Sequence, residues 1–116
     1  MSMNRNDYVI VGYDFTSLRD VLYTEEWAEN DKNIDKWESY QSKGNIQIFS
    51  DPCSGEYLYF GYILSANDEY ETEETQIGIS ELQKLKNTVD EKLKQVGWNI
   101  SREPIPYQVI CFSEWR

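Results

Sequence analysis

Histidine is absent from these 116 residues. The usual general base, and the usual activator of a serine or cysteine nucleophile, is therefore missing. No Cys-x-x-Cys pair occurs, which removes the common zinc-binding spacing. The six glycines are isolated at turns or in strands, so no glycine-rich loop exists to cradle phosphate. No stretch approaches the ~20 apolar residues that a membrane helix needs. The opening residues Met1–Asp7 lack the apolar run of about 7–15 residues of a signal peptide. Basic residues are scarce as well: 11 Lys and Arg stand against 21 Asp and Glu, a net charge of −10. These absences exclude several classes at once. The chain reads as a cytoplasmic, non-enzymatic protein with no cofactor, no bound metal, no membrane contact and no direct nucleic-acid binding. DNA binding in particular requires Lys and Arg to displace counterions from phosphates.

What is present is acid and aromatic surface. Hydrophobic residues make up 40% of the chain and aromatic residues 15%, enough to build one packed domain over residues 1–116. Residues 1–79 hold 16 acids and 5 bases, whereas residues 80–116 hold 5 acids and 6 bases. The acidity therefore belongs to the first two-thirds of the chain. A surface of that sign steers basic proteins towards it at long range. The two cysteines, Cys53 and Cys111, could form one disulfide, but nothing local favours it, and free, buried thiols are expected.

The pattern predicts an α+β fold. Tyr8–Tyr13 is a β-branched run and a first strand. Ser17, with Asp20 three residues on, reads as a helix start, and Leu18, Val21, Leu22 and Trp27 as the apolar side of that helix. A short second helix around Ile34–Gln41 sets Trp37 and Tyr40 on one side. Ile46–Phe49 and Tyr57–Leu64 form a hairpin, and the second of these is apolar on both faces, as a central strand is. Thr75–Ile79 is the candidate for a fifth strand. Ser80-Glu81-Leu82-Gln83 matches a capping box. It precedes a stripe of Leu82, Leu85, Val89, Leu93 and Val96, with Gly97 as the C-cap. Tyr107–Phe112 is the last strand. The expected architecture is a mostly antiparallel sheet of four to five strands. A long helix over about 80–96 lies across one face, and shorter helices follow strand 1.

Two acidic constellations stand out as partner-binding candidates. The first is Asp68-Glu69-Tyr70-Glu71-Thr72-Glu73-Glu74, where five of seven residues are acidic. It has three readings: a solvated loop, a contact surface that imitates the spaced charge of a nucleic-acid backbone, or a Ca²⁺ loop, although the EF-hand pattern and its glycine are missing. Alternation in a β-arm would set Glu69, Glu71 and Glu73 on one side. The second is Asp20, Glu25, Glu26, Glu29, Asp31, Asp35 and Glu38, read either as a charged outer helix face or as a docking surface. Trp27 and Trp37 among them are core anchors, or interface residues if exposed. A different class of function, a carboxylate-based metal-dependent enzyme or ligand-binding domain, would place its site near Asp14, Asp51 and Glu56 at strand ends.

The block Gly44-Asn45-Ile46-Gln47-Ile48-Phe49-Ser50-Asp51-Pro52-Cys53-Ser54-Gly55-Glu56-Tyr57-Leu58-Tyr59-Phe60-Gly61-Tyr62-Ile63-Leu64, with Val11-Gly12-Tyr13-Asp14 before it, resembles small acidic proteins of phages and prophages of Gram-positive bacteria. The likeness is strongest over residues 8–64 and carries no catalytic residues. It implies a setting in the bacterial host cytosol, where accessory phage genes encode small acidic binders that block host enzymes or defence systems. The expected partner is then a basic, nucleic-acid-handling protein, inhibited through mimicry of nucleic acid. A regulatory phage component whose acidity serves only solubility is the bland alternative.

Overall fold

A computed structural model of the chain describes residues 5–38, 44–50, 57–68, 76–98 and 105–115. Its frame is one four-stranded antiparallel sheet in the order β2-β3-β1-β4, formed by β1 (Arg5–Asp14), β2 (Ile46–Ser50), β3 (Leu58–Asp68) and β4 (Gln108–Trp115). The hairpin expected from the sequence is present, with Ile46 opposite Tyr62 and Ser50 opposite Leu58. β3 lies between β2 and β1, in keeping with its apolar character on both faces. Beyond Ile63 the strand holds one extra residue: Ile10 faces Ile63 but Val9 faces Ser65, so Leu64 forms a bulge. Gly12 and Gly61 face each other across β1 and β3, and a Cβ on Gly12 would lie 2.1 Å from the Phe60 carbonyl oxygen. Only glycine permits this approach.

Alternation gives the sheet two different faces. Tyr13, Ile46, Ile48, Leu58 and Phe60 pack towards the helices with Phe15, Leu22, Trp37, Val89, Val96 and Trp98. The longest helix, α4 (Ile79–Val96), crosses this face. Its stripe emerges as the spacing predicts: Val89 and Val96 are buried, Leu82, Leu85 and Leu93 half-buried, and Gly97 ends it at φ +84°. Two tyrosines fasten α4 to the sheet. Tyr13 donates to the Asp90 carboxylate, which also takes the Lys86 ammonium at 2.8 Å. Tyr107 donates to the Leu82 carbonyl at 2.7 Å. On the opposite face Tyr8, Phe49, Tyr57, Tyr59 and Phe112 form an aromatic cluster, with neighbouring ring centroids 4.9–5.6 Å apart. Phe49 within it is fully buried, and so is Ile10, which shares the face of Tyr8 by alternation along β1.

Several local expectations are corrected. The segment after β1 is not one helix. A 3₁₀ turn at Thr16–Leu18 leads into α1 (Arg19–Leu22), then α2 (Glu25–Glu29), a second 3₁₀ turn at Asn30–Lys32 and α3 (Asn33–Trp37). Ser17 caps nothing; Asp14 instead accepts from Thr16 N at 2.9 Å, and Thr24 caps α2 by accepting from Trp27 N at 3.2 Å. Val21 points outward, 72% exposed. α3 stops at Trp37, because Glu38 bridges to Ile48 of β2; Tyr40 and Gln41 lie outside the described residues. The capping box is not used either. Gly78 is the N-cap, and its carbonyl accepts from Glu81 and Leu82 at 3.1 Å. Ile79 is thus the first residue of α4 rather than the end of a fifth strand, and Gln76–Gly78 are in no strand. Cys111 is free but exposed, on β4 at the edge of the sheet, not buried; Cys53 lies outside the described residues. No helix among the described residues is long and apolar enough to cross a membrane.

Candidate functional site

Of the acidic candidates, Glu25, Glu26 and Glu29 are placed together on one helix. All three sit on α2 and are exposed. Asp20 on α1 and Asp35 on α3 are exposed beside them in sequence. The described ion pairs are Arg5–Asp7, Lys86–Asp90 and Lys94–Glu91, so none of these five carboxylates is neutralised by a described base. Glu25 and Glu26 occupy the first turn, where the helix dipole favours them. Glu29, four residues after Glu25, stands one turn further along the same side. The other candidate run is reached only at its start: Asp68 ends β3, paired with Asn6, while Glu69, Tyr70, Glu71, Glu73 and Glu74 lie outside the described residues.

Glu38 leaves the acidic surface. It is 2% exposed and accepts hydrogen bonds from the Tyr23 hydroxyl and, at 2.9 Å, from Ser50 Oγ. Those donors stabilise a carboxylate that burial alone would penalise. Glu114 is the second buried acid, receiving the Tyr57 hydroxyl at 2.8 Å. Both carboxylates join elements of the fold.

α2 is held by an aromatic chain that runs under it. Trp27 is half-buried, and its indole N–H donates to the Val96 carbonyl at 2.8 Å. Tyr23 and Trp98 flank it, with centroids at 5.5 and 5.2 Å. Trp98 in turn meets Phe15 edge-on at 5.8 Å. The Arg19 guanidinium lies 4.9 Å from the Tyr23 ring centroid. Trp37 is a core residue, 4% exposed. Sequence reasoning missed Trp98, whose only local signal is its place directly after the helix-ending Gly97.

The remaining titratable cluster is ordered for structure rather than chemistry. Tyr13 is pushed up to about 12, first by burial and then by its bond to, and the charge of, Asp90. Lys86 is raised, first by its bond to Asp90. Burial likewise raises Tyr59 and Tyr107, helped by the charges of Asp14 and Asp90 respectively. A nucleophile or base needs the opposite shift in a phenol. Asp14, a candidate of the metal-dependent reading, is engaged by Thr16 through N and Oγ1, and Thr16 Oγ1 accepts in turn from Leu58 N. Asp51 and Glu56 lie outside the described residues. Among the described residues no three His, Cys, Asp or Glu side chains gather as a metal site would require. Compared with known proteins, the chain matches no family model, no curated protein and no solved structure.

Proposed function

We propose that this chain is a non-enzymatic acidic interaction protein that binds a basic protein partner and inhibits it by covering a surface that handles nucleic acid. The observation that carries this reading is the state of α2. Glu25, Glu26 and Glu29 are exposed and carry no described counter-charge, on a helix whose Trp27 is half-buried. Unpaired carboxylates on a frame held by aromatic packing suit the electrostatic half of an interface. The partly exposed Trp27 indole of the same helix suits its apolar centre. The resemblance to small acidic phage and prophage proteins supports the same reading, with a host or defence enzyme as the partner and the bacterial cytosol as the setting. The run at 68–74 adds charge of the same sign.

Capture from bacterial lysate at about 50 and 500 mM salt tests it, using wild type and the Glu25→Gln/Glu26→Gln/Glu29→Gln variant side by side. A basic protein retained by wild type at low salt, released at high salt and lost by the variant is the expected result. Retention of the same proteins by both forms would remove α2 from the interface.

A further inference from the structure

Resting on that reading, we infer that the partner places one arginine side chain in the cavity between α2 and the end of α4. The cavity measures about 320 Å³, within the lower range of ligand sites and ample for one side chain. Val21, Glu26, Trp27, Asn30, Gly97 and Trp98 are among its lining residues.

Each wall favours a planar cation. Trp27 and Trp98 stand with ring centroids 5.2 Å apart and planes at 45°. Indole is the strongest of the aromatic partners for a cation, and guanidinium also stacks on it. Glu26 supplies an exposed carboxylate with no described counter-ion. Gly97 marks the C-terminus of an 18-residue helix, the negative end of its dipole. Two described cations are turned elsewhere. Lys94, the basic residue of the last turn, pairs with Glu91 at 3.6 Å, and Arg19 lies on the Tyr23 ring.

The Trp27 N–H is satisfied by Val96 and the Trp98 N–H is buried, so the two indoles offer the arginine their rings and not their donors. Val21, 72% exposed at the rim, offers the apolar edge on which the rest of the segment rests.

The test uses the ¹⁵N-labelled full chain and the peptide acetyl-Gly-Arg-Gly-amide, with its citrulline counterpart and spermidine as comparisons. The arginine peptide is expected to shift the Trp27 and Trp98 indole resonances saturably. Trp37, buried in the core away from the cavity, should stay in place. Citrulline, isosteric but neutral, should bind at least tenfold more weakly. Glu26→Gln should weaken the arginine peptide about fivefold without moving the unfolding midpoint. Equal shifts with citrulline, tighter binding of spermidine, or no movement at about 20 mM arginine peptide would overturn the assignment. The titration contains no partner protein, so it can fail while the salt-dependent capture succeeds, and the reverse.

Discussion

The indole N–H of Trp27 donates to the carbonyl oxygen of Val96 at 2.8 Å, joining a five-residue helix to the far end of the longest one. This bond fixes α2, and with it Glu25, Glu26 and Glu29, to the body of the fold. Trp27→Phe keeps an aromatic ring but leaves the carbonyl without its donor. The variant should lose about 1–2 kcal/mol in urea unfolding. An unchanged midpoint would mean that water replaces the indole at no cost.

Glu38 makes a sharper case. Removing its carboxylate leaves the Tyr23 and Ser50 hydroxyls without the acceptor they share. Glu38→Ala should destabilise by about 2–4 kcal/mol, and Glu38→Gln, which retains an acceptor oxygen, by less than half as much. Equal losses for the two variants would show that side-chain volume, not hydrogen bonding, decides the site.

Glycine substitutions should divide by position. Gly12→Ala drives a methyl group against the Phe60 carbonyl and should cost about 1–3 kcal/mol or more. Gly78→Ala meets nothing within 4 Å at an ordinary φ of −74° and should stay within about 0.5 kcal/mol of wild type. Thermal melting of both variants measures the contrast directly.

Alkaline stability should depend on Tyr13. Its pKa in the fold, about 12, lies above the ordinary 10 of an unfolded chain. The folded state therefore holds a proton that the unfolded state has lost. The contribution is fully present below pH 10 and disappears as pH rises towards 12. Lys86, Tyr59 and Tyr107 are raised too and act in the same direction. The urea midpoint should fall across this window, and Tyr13→Phe should shallow the fall. Identical slopes for wild type and Tyr13→Phe would show that the titration of Tyr13, raised first by burial and then by Asp90, does not couple to folding.

The α2 acids should matter to association and not to folding. The Glu25→Gln/Glu26→Gln/Glu29→Gln variant should unfold within about 0.5 kcal/mol of wild type, since exposed charges contribute little. Its association with a captured basic partner should slow severalfold at low salt and match wild type at high salt. Stopped-flow or surface kinetics at the two salt concentrations separates these outcomes.

Much of the frame is legible in the sequence, for identifiable reasons. The stripe Leu82, Leu85, Val89, Leu93, Val96 repeats at helical spacing and ends on a glycine at positive φ, so α4 and its inner face follow from local rules. The hairpin follows from a turn-rich segment between two β-rich runs. The segment after β1 fails the same rules. Leu22 and Trp27 are five residues apart, about 140° out of phase on one helix, so the chain breaks at Thr24 to bring both inward. Val21 is then left outside. The start of α4 misleads because a glycine carbonyl does what a serine side chain was expected to do. Glu38 was unreadable as a buried group, since its donors come from α1's end and from β2. The acids of α2 were visible by composition alone. The aromatic support beneath them depends on Trp98, brought in by the packing of α4, and no local pattern announces it.

The sheet order also dictates a sequence of events during synthesis. β1 is made before β3 and β4 yet lies between them in the sheet. After residue 68 has left the ribosome, β1, β2 and β3 can pair, but the far edge of β1 stays open. Residues 108–115 are what close it, from Arg5 opposite Trp115 to Gly12 opposite Gln108. Until then the nascent chain carries an unsaturated strand edge, the kind of surface that recruits other chains. Completion of this sheet is thus coupled to β4 emerging, and a chain halted before it would carry an open β1 edge.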